Sequence, residues 1–249
     1  MMEDLKKQAA RFGADIRSGI ATSADLSIKP YKVVIDDKTT IEAGTLIIAT
    51  GASAKYLGLA DEQKYAGMGV SACATCDGFF YRKKKVAVVG GGDTACEDAL
   101  YLSNLASQVY LIVRKPFLRA SQIMQERISQ TPNITVLFEH NAVGLFGEGG
   151  VEGVHMVKRL GEPDEEKVDI TVDGFFLAIG HTPNSDIFKP RIETDEAGYI
   201  YTKPDSTCTN IPGVFAAGDV ADPIFRQAIT AAAAGCKAAM EAEKYLLTL

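Results

Sequence analysis

The sequence predicts an α/β protein in which one strand–helix–strand domain is inserted into another. From Lys85 the chain alternates a strand ("KVAVVG"), a glycine turn ("GGGDTA"), a helix ("TACEDALYLSNLA") and a second strand ("QVYLIV"), which is the order of a βαβ unit. A β-rich start and a strand–turn–helix end flank this part of the chain. We therefore expect two linkers, one within residues 52–70 and one at "HTPNSD".

The remaining elements follow from local patterns. Residues 3–12 place Leu5, Ala9 and Phe12 at helical spacing, and Gly13 stands where such a helix would end. Short strands are predicted in "ADIRSGIATSADL", "YKVVIDD" and "TLIIATG", with a turn at "DD". After the βαβ unit, "QIMQERISQ" predicts a helix, and alternating strands are predicted in "NITVLFEHNAVGLFGEGGVEGVHMVKRLG" and "KVDITVDGFFLAIG". The end of the chain predicts a strand in "GVFAAGD" and a long alanine-rich helix.

Composition excludes several classes of protein. The chain has 249 residues, 47% of them apolar, which suits two compact units of moderate size. Its net charge of −6 and the lack of a long basic run argue against a nucleic-acid partner. No apolar run approaches the ~20 residues that span a bilayer. The charged start "MMEDLKKQAA" is unlike a secretory signal, and five scattered cysteines are unlike a secreted disulfide framework. We expect a cytoplasmic protein.

The glycine turn predicts a dinucleotide site. In "VAVVGGGDTA", Gly90 suits a tight turn, Gly92 lets the backbone approach a pyrophosphate, and Ala95 permits close packing of helix on strand. The following helix N-terminus favours an anion. Such a motif alone is weak, but here it lies inside a βαβ unit, which is the context that supports it. The residues expected to bind the cofactor here are Gly90, Gly91, Gly92, Asp93 and Thr94.

The second strand of this unit predicts which dinucleotide binds. Sites for NAD carry an acidic residue at its end, to bind the ribose 2′-hydroxyl. This chain has Arg114 and Lys115 there instead, with Arg119 shortly after and no carboxylate. Three cations suit a 2′-phosphate. They indicate NADPH, against the alternative of a solvated basic loop.

The stretch "SACATCDGFFY" places Cys73 and Cys76 at C-x-x-C spacing. A zinc site needs four ligands, and the chain has no second C-x-x-C and only isolated histidines. A static disulfide is unusual in a cytosolic protein. A redox pair is the interpretation that remains, since this spacing lowers a thiolate pKa. Cys96, Cys208 and Cys236 are expected to be small apolar residues without a redox role.

Three separated motifs closely resemble the low-molecular-weight, bacterial-type thioredoxin reductases: "ACATCDGFFYRKKKVAVVGGGDTACEDALYLS", "FFLAIGHTPN" and "GVFAAGDVADPIFRQAITAAAAG". The resemblance runs along essentially the whole chain. It implies a Rossmann-like flavoprotein fold with two dinucleotide-binding domains. The implied domains are an FAD domain of residues 1–54 and 183–249 and an inserted NADPH domain of residues 55–182. It also implies a homodimer that passes electrons from NADPH through FAD and a C-x-x-C disulfide to thioredoxin.

The resemblance also assigns roles to residues. It implies that Cys76 faces the flavin, that Cys73 reacts with thioredoxin, and that Asp77 is the acid–base group; a plain turn at Asp77 and Gly78 is the alternative. The 2′-phosphate cluster would be Arg114, Lys115 and Arg119, although the family more often begins this cluster His-Arg-Arg. Further cofactor residues implied by the resemblance are Gly180, Asp219, Val220, Arg226, Gln227 and Ala228.

One feature departs from the family pattern. The family begins with a further βαβ unit whose glycine loop holds the FAD pyrophosphate, and we find no counterpart before "MEDLKKQAARFG". The expectation is therefore an N-terminally truncated reductase with weakened FAD binding. Two alternatives stay open: a non-catalytic NADP-binding fragment, and the flavoprotein reductase of a peroxide-reducing system.

Overall fold

The computed structural model of the chain describes residues 2–189 and 191–249. Its α-helices are α1 (Met2–Arg11), α2 (Ala60–Lys64), α3 (Ala74–Asp77), α4 (Asp93–Ser103), α5 (Gln122–Ser129) and α6 (Ala228–Leu246). Its strands are β1 (Ala21–Asp25), β2 (Tyr31–Ile35), β3 (Thr39–Ala43), β4 (Leu46–Ile48), β5 (Ala52–Ala54), β6 (Val70–Ser71), β7 (Lys85–Val89), β8 (Gln108–Val113), β9 (Ile134–Phe138), β10 (His140–Phe146), β11 (Gly153–Lys158), β12 (Glu166–Thr171), β13 (Gly174–Leu177), β14 (His181–Pro183) and β15 (Val214–Ala216).

The chain divides into two compact units. The first comprises residues 1–53 and 182–249, and the second comprises residues 54–181. The chain passes between them at residues 53–54 and 181–182. The assignment of these parts to an FAD domain and an NADPH domain stays a prediction. No helix of the described residues is both long and apolar enough to cross a bilayer.

The second unit is built on a parallel five-stranded sheet in the order β6-β13-β7-β8-β9. Alternate residues of these strands enter two different cores, as the pleat of a strand requires. Val86 and Val88 pack with buried residues of α4, whereas Ala87 and Val89 pack with residues of the antiparallel sheet β10-β11-β12. Helices therefore cover one face and a second sheet covers the other. The α/β class with a Rossmann-like parallel sheet, predicted from the sequence, is confirmed.

The first unit has a smaller sheet. Strands β4 and β15 pair in parallel, with Leu46 opposite Val214. One face of this pair packs with the antiparallel sheet β1-β2-β3 through a core that includes Ile48 and Tyr31. On the other face, Phe215 packs against buried alanines of α6.

Two sequence predictions were wrong in detail. Residues 14–20, predicted to be part of a strand, lie outside the helices and strands, because the pairing of β1 with β2 begins at Ala21. The predicted linker at 52–70 contains β5, α2 and the first residue of β6.

The turn predicted at "DD" is present, with Asp36 and Asp37 at φ values of 52° and 56°.

A buried carboxylate organises the segment before α2. Glu62 is only 3% exposed, and a buried charge is costly unless it is compensated. Its two oxygens accept hydrogen bonds from the consecutive N–H groups of Leu57, Gly58 and Leu59, at 2.9, 2.9 and 3.0 Å. The segment 57–59 is thereby tied to α2, which explains why the predicted linker is ordered here.

We expect Glu62→Ala to free this segment, since three N–H groups lose their acceptor. Hydrogen bonds to a charged group contribute about 1.5–3 kcal/mol, so amide exchange protection at residues 57–59 should fall at least about tenfold. Hydrogen exchange read by mass spectrometry measures this. Glu126→Ala is the control, because Glu126 is exposed and its carboxylate accepts only from the Gln122 side chain. Unchanged protection in Glu62→Ala would contradict the prediction.

Candidate functional site

The glycine turn after β7 is a point of very close packing. Gly90 has φ +148°, and a Cβ on it would lie 2.5 Å from the carbonyl oxygen of Ala178 and 2.7 Å from the Cβ of Ala95. Neither distance is possible for a real side chain, so only glycine fits here. The Gly90 N–H donates to the carbonyl of Ile112. The first glycine therefore joins the ends of three neighbouring strands to α4.

Gly92 differs from Gly90 in what surrounds it. It precedes α4 with extended backbone, and a Cβ placed on it would meet nothing within 4 Å. Open space above a helix N-terminus with free N–H groups is what a bound phosphate requires. A β-carbon here would occupy the space of the ligand, so the predicted role of Gly92 agrees with this geometry.

Asp93 was predicted to bind the cofactor, but the structure gives its carboxylate another partner. It accepts from the Ser121 N–H at 2.9 Å and from the Ser121 hydroxyl at 2.8 Å. These bonds lower the pKa of Asp93 below its ordinary value, so the carboxylate stays charged. The Arg119 N–H also donates to the Gly91 carbonyl, at 2.7 Å. The loop that carries the predicted 2′-phosphate residues is thus attached directly to the glycine turn.

The three predicted cations lie in this loop with their side chains exposed. Among the residues that the structure describes, none of Arg114, Lys115 and Arg119 is paired with a carboxylate. An unpaired cation keeps all its donors for a ligand. The three side chains are therefore free of ion pairs with the described residues.

The glycine turn and the three cations line one cleft, which has a volume of about 630 Å³. Its lining includes all the predicted nucleotide residues together with Gly180, namely Gly90, Gly91, Gly92, Asp93, Thr94, Arg114, Lys115, Arg119 and Gly180. Sequence analysis assigned no role to the ten other residues of the wall, which are Leu57, Val89, Ile112, Val113, Phe117, His140, Asn141, Ala142, Ala178 and Ile179. Several of these follow the ends of β9 and β13, and the rule that ligands bind beyond the carboxyl ends of parallel strands would have found them.

The residues of this cleft fit a nicotinamide dinucleotide phosphate. The open space at Gly92 suits the pyrophosphate, and the free cations suit a 2′-phosphate. At one end of the cleft, Gly180 has a φ of +103°, and the nearby Ala178 has a small side chain. This assignment of individual residues remains a prediction.

The C-x-x-C residues form a disulfide in the same unit. Cys73 and Cys76 are bonded, with their Cα atoms 5.3 Å apart. Cys73 is half-buried and precedes the short helix α3, whereas Cys76 is exposed. The Cys73 sulfur accepts from the Cys76 N–H at 3.2 Å and lies 3.5 Å from the Thr75 hydroxyl. Two donors therefore already face the sulfur that was predicted to react with the partner.

The turn after the disulfide is fixed by packing. A Cβ on Gly78 would lie 3.0 Å from Leu102 of α4, so this glycine allows the close approach. Tyr81 meets Phe176 of β13 edge to face, with ring centroids 5.2 Å apart. Burial raises the pKa of the Tyr81 phenol, and the charge of Asp77 raises it further. Asp77 itself is half-buried and makes no hydrogen bond to either sulfur. The sulfurs of a disulfide have no S–H group that could donate to its carboxylate.

The residues predicted to hold the flavin lie in the first unit, around the turn before α6. Val220 is buried and Asp219 is half-buried, with a carboxylate that makes no hydrogen bond to the described residues. Arg226 and Gln227 directly precede Ala228, which begins α6. A cavity of about 470 Å³ adjoins this turn, but it is lined by neighbours such as Gly218 and Thr230 and not by the predicted residues.

Sequence analysis missed the residue that shapes this turn, Asp222. Its carboxylate accepts from the N–H groups of Ile224, Phe225 and Arg226, at 2.9, 2.8 and 3.0 Å. The motif "DPIFR" carried the signal, because an aspartate commonly accepts from N–H groups a few residues on. Arg226 is left in a left-handed conformation with φ +47°. Asp222 therefore positions Arg226 and the start of α6.

The described residues of the first unit fit part of a flavin site. The free Asp219 carboxylate suits the hydroxyls of a ribityl chain, and the N-terminus of α6 suits the anionic edge of a flavin ring. In contrast to the second unit, the described residues of the first contain no strand, glycine turn and helix with the G-x-G-x-x-A spacing.

Comparison with known proteins agrees with this site. The sequence matches the model of the family "Pyridine nucleotide-disulphide oxidoreductase" over residues 3–235. A thioredoxin reductase of Coxiella burnetii is 50% identical over 257 residues, covering 100% of this chain and 79% of the relative. A mitochondrial thioredoxin reductase of Kluyveromyces lactis is 45% identical over 254 residues, covering 100% of this chain and 72% of the relative.

A solved structure shows the same fold. The thioredoxin reductase from Giardia duodenalis superposes with a TM-score of 0.90 at 38% sequence identity, over 99% of this chain and 80% of that one. The resemblance deduced from the sequence motifs is therefore confirmed at the level of sequence and of fold.

We expect Arg114→Ala combined with Arg119→Ala to weaken NADPH binding and to leave NADH binding nearly unchanged. Each charge-assisted hydrogen bond to a phosphate contributes about 1.5–3 kcal/mol, so most of the preference for NADPH should be lost. Dissociation constants for both nucleotides, measured by calorimetry, test this. An equal loss for NADH would mean that the two arginines hold the loop in place and do not bind the 2′-phosphate.

Asp222 should make the stability of the first unit depend on pH. Burial alone raises the pKa of Asp222, but the N–H bonds from Phe225, Ile224 and Arg226 together outweigh it and lower the pKa below its ordinary value. A depressed carboxylate pKa stabilises the fold above the unfolded-state value of about 4, and the contribution is lost as the pH falls through the folded-state value.

Asp222→Asn should therefore be less stable than the parent chain by about 1–2 kcal/mol at pH 7, and the difference should shrink below about pH 4. Urea unfolding followed between pH 3 and pH 8 by circular dichroism measures it. A difference that stays constant with pH would contradict this account of Asp222.

Proposed function

This chain belongs to the pyridine nucleotide-disulphide oxidoreductase family, and from that membership we propose that it is a thioredoxin-disulfide reductase. Electrons would pass from NADPH through FAD to the Cys73–Cys76 disulfide, and from the reduced pair to thioredoxin. The two relatives and the solved structure compared above are themselves named thioredoxin reductases.

The observation that carries this proposal is a formed disulfide between Cys73 and Cys76 in the same compact unit as the nucleotide cleft. Three further cysteines, Cys96, Cys208 and Cys236, are free thiols. Burial raises the pKa of Cys96 to about 11, so it stays a protonated thiol at neutral pH and is a poor nucleophile. Redox chemistry therefore falls to the C-x-x-C pair.

The residues of the cleft would bind and orient the nicotinamide nucleotide. The turn at Gly90 and Gly92 would bring backbone N–H groups to the pyrophosphate, and Arg114, Lys115 and Arg119 would bind the 2′-phosphate. In the first unit, Asp219 and the segment Arg226–Ala228 would hold one end of the flavin. When bound, the two cofactors supply the two electrons that open the disulfide.

Once reduced, the cysteine pair can carry out thiol–disulfide exchange. The Cys73 thiolate would attack one sulfur of the thioredoxin disulfide, forming a mixed disulfide and releasing the other thioredoxin sulfur as a thiolate. The Cys76 thiolate would then attack Cys73, which restores the Cys73–Cys76 disulfide and releases thioredoxin as a dithiol. The Cys76 N–H, 3.2 Å from the Cys73 sulfur, stabilises negative charge on that sulfur. Asp77 would give or take a proton at the sulfurs.

The surface beside the disulfide supports a protein as the electron acceptor. Phe79 and Phe80 are 66% and 72% exposed, directly after the redox pair. Exposed neighbouring aromatic rings are typical of protein contact surfaces, because they bury much apolar area with little loss of side-chain freedom. A small disulfide substrate would leave both rings in water.

A homodimer in the cytoplasm belongs to the same proposal. Ile229 and Met240 of α6 are largely exposed, and so is Leu247, which directly follows the helix. These side chains give a second copy of the chain an apolar surface to cover. Three free thiols beside one redox disulfide agree with a reducing compartment. Light scattering of the purified protein measures the assembly.

The proposal is tested on the purified chain by two measurements. The first counts the flavin that is released per chain on denaturation. The second follows NADPH oxidation in the presence of thioredoxin. Bound flavin with thioredoxin-dependent turnover is the expected result. A chain that binds NADP⁺ but holds no flavin and shows no turnover would contradict the proposal and favour the non-catalytic alternative.

We expect Cys73→Ser and Cys76→Ser each to abolish thioredoxin reduction, since Cys73 has to attack thioredoxin and Cys76 has to release it from the mixed disulfide. Neither change should alter the dissociation constant for NADP⁺, because neither cysteine lines the nucleotide cleft. Cys236→Ser is the matched control, since Cys236 is exposed and unbonded, and it should keep full activity. Turnover in the double variant Cys73→Ser, Cys76→Ser would rule out the C-x-x-C pair as the redox centre.

A further inference from the structure

His140 is a wall residue of the nucleotide cleft to which the sequence analysis gave no role. It is the first residue of β10, it follows β9 after one residue, and it is only 9% exposed. Its ring nitrogen Nδ1 lies 2.6 Å from the carbonyl oxygen of Phe138. Because a carbonyl oxygen can only accept a hydrogen bond, Nδ1 carries the proton in this contact.

The tautomer fixed by Phe138 decides what the other side of the ring can do. With the proton on Nδ1, the Nε2 atom of the neutral ring has a lone pair and is an acceptor. Nε2 has no hydrogen-bond partner among the described residues. Nε2 is also not fully buried. Among the described residues, the only side-chain nitrogen or oxygen that is fully buried and has no hydrogen-bond partner belongs to Arg159. A buried ring that lines the cleft thus has one acceptor that is unpaired and not fully covered.

The sheet order determines which part of a dinucleotide would reach this acceptor. Leu177, Val89, Ile112 and Leu137 stand side by side near the carboxyl ends of β13, β7, β8 and β9. In the function proposed above, the pyrophosphate lies at the glycine turn after β7 and the 2′-phosphate at the cations after β8. The adenine base is attached to the ribose that carries the 2′-phosphate. It therefore continues in the same direction, toward the end of β9, where His140 lies.

Two contacts hold His140 beside the 2′-phosphate residues. Val113 pairs with Phe138 in register, so Arg114 and Glu139 follow their strands at the same level. The Glu139 N–H donates to the Lys115 carbonyl at 3.3 Å. Neighbouring strands are about 4.8 Å apart, which is less than the distance that a nucleoside spans from its 2′-oxygen to the far edge of the base.

We infer that His140 is a specificity-determining residue that recognises the adenine base of the nucleotide through its 6-amino group, which donates to Nε2. This inference rests on the proposed NADPH site. The base hypoxanthine has a carbonyl oxygen in place of that amino group. In the hypoxanthine analogue two acceptors would face each other, and the buried Nε2 would lose its donor.

The experiment compares NADP⁺ with nicotinamide hypoxanthine dinucleotide phosphate by calorimetric titration of the full chain. The parent chain should bind the adenine form at least about tenfold more tightly, since a buried acceptor left without a donor weakens binding. Two variants separate the two ring nitrogens. In His140→Asn the amide nitrogen can still donate to the Phe138 carbonyl, but nothing replaces Nε2, so the two nucleotides should bind with nearly equal affinity. In His140→Gln the amide reaches the Nε2 position, and part of the preference should return.

His155→Asn is the matched control. His155 lies on β11, and its Nδ1 atom is hydrogen-bonded to Asp169 Oδ1 at 2.8 Å. It does not line the cleft. It should keep the full preference for the adenine form. Equal binding of the two nucleotides by the parent chain would overturn the inference and leave the proposed function standing. Full preference retained in His140→Asn would also overturn it. A parent chain that binds neither nucleotide would overturn the proposed NADPH site as well.

Discussion

The close approach at Gly90 is the constraint on which the nucleotide cleft depends. Its Cα lies between the Ala178 carbonyl after β13 and the Ala95 methyl of α4. This close approach brings the start of α4 to the strand ends, so that its N-terminal residues Asp93 and Thr94 line the cleft. A side chain here would push α4 away from the sheet, and the cleft would lose its floor and its anion-binding end together. The buried residues of α4, among them Cys96 and Leu102, then fix the helix on the sheet.

Carboxylates hold the loops around both candidate sites, and they do so mainly by accepting backbone N–H groups. Glu62 holds residues 57–59, Asp93 holds Ser121, and Asp222 holds residues 224–226. Glu241 binds Thr207 in the same manner, and Asp61 accepts from Leu145 at an irregularity in the pairing of β10. Each carboxylate accepts backbone N–H groups that would otherwise lack partners. Among the residues that the structure describes, the arginine and lysine side chains of the cleft have no acidic partner.

The parts that sequence analysis predicted are those determined by local pattern. The strand–glycine turn–helix order is short-range, and so are the alternation of the strands and the alanine-rich helix at the end. Together they gave the α/β class and the family. The contributions of His140 and Ile179 to the cleft depend instead on how strands are ordered in the sheet, which no local window contains. Glu62 was given no role, because its partners are backbone N–H groups and any sequence supplies those. Asp222 was missed although the motif "DPIFR" carried its signal.

The unpaired cations of the cleft have a consequence for the surroundings in which the protein works. Arg114, Lys115 and Arg119 are exposed, so dissolved ions screen their attraction for a phosphate. The Debye length falls from about 30 Å at 0.01 M salt to about 8 Å at 0.15 M. The backbone N–H groups at the glycine turn act at contact distance and are screened far less. Rising ionic strength would therefore reduce the discrimination between phosphorylated and unphosphorylated nucleotides sooner than it reduces dinucleotide binding itself, so the cofactor preference of this cleft is partly a property of the salt around it.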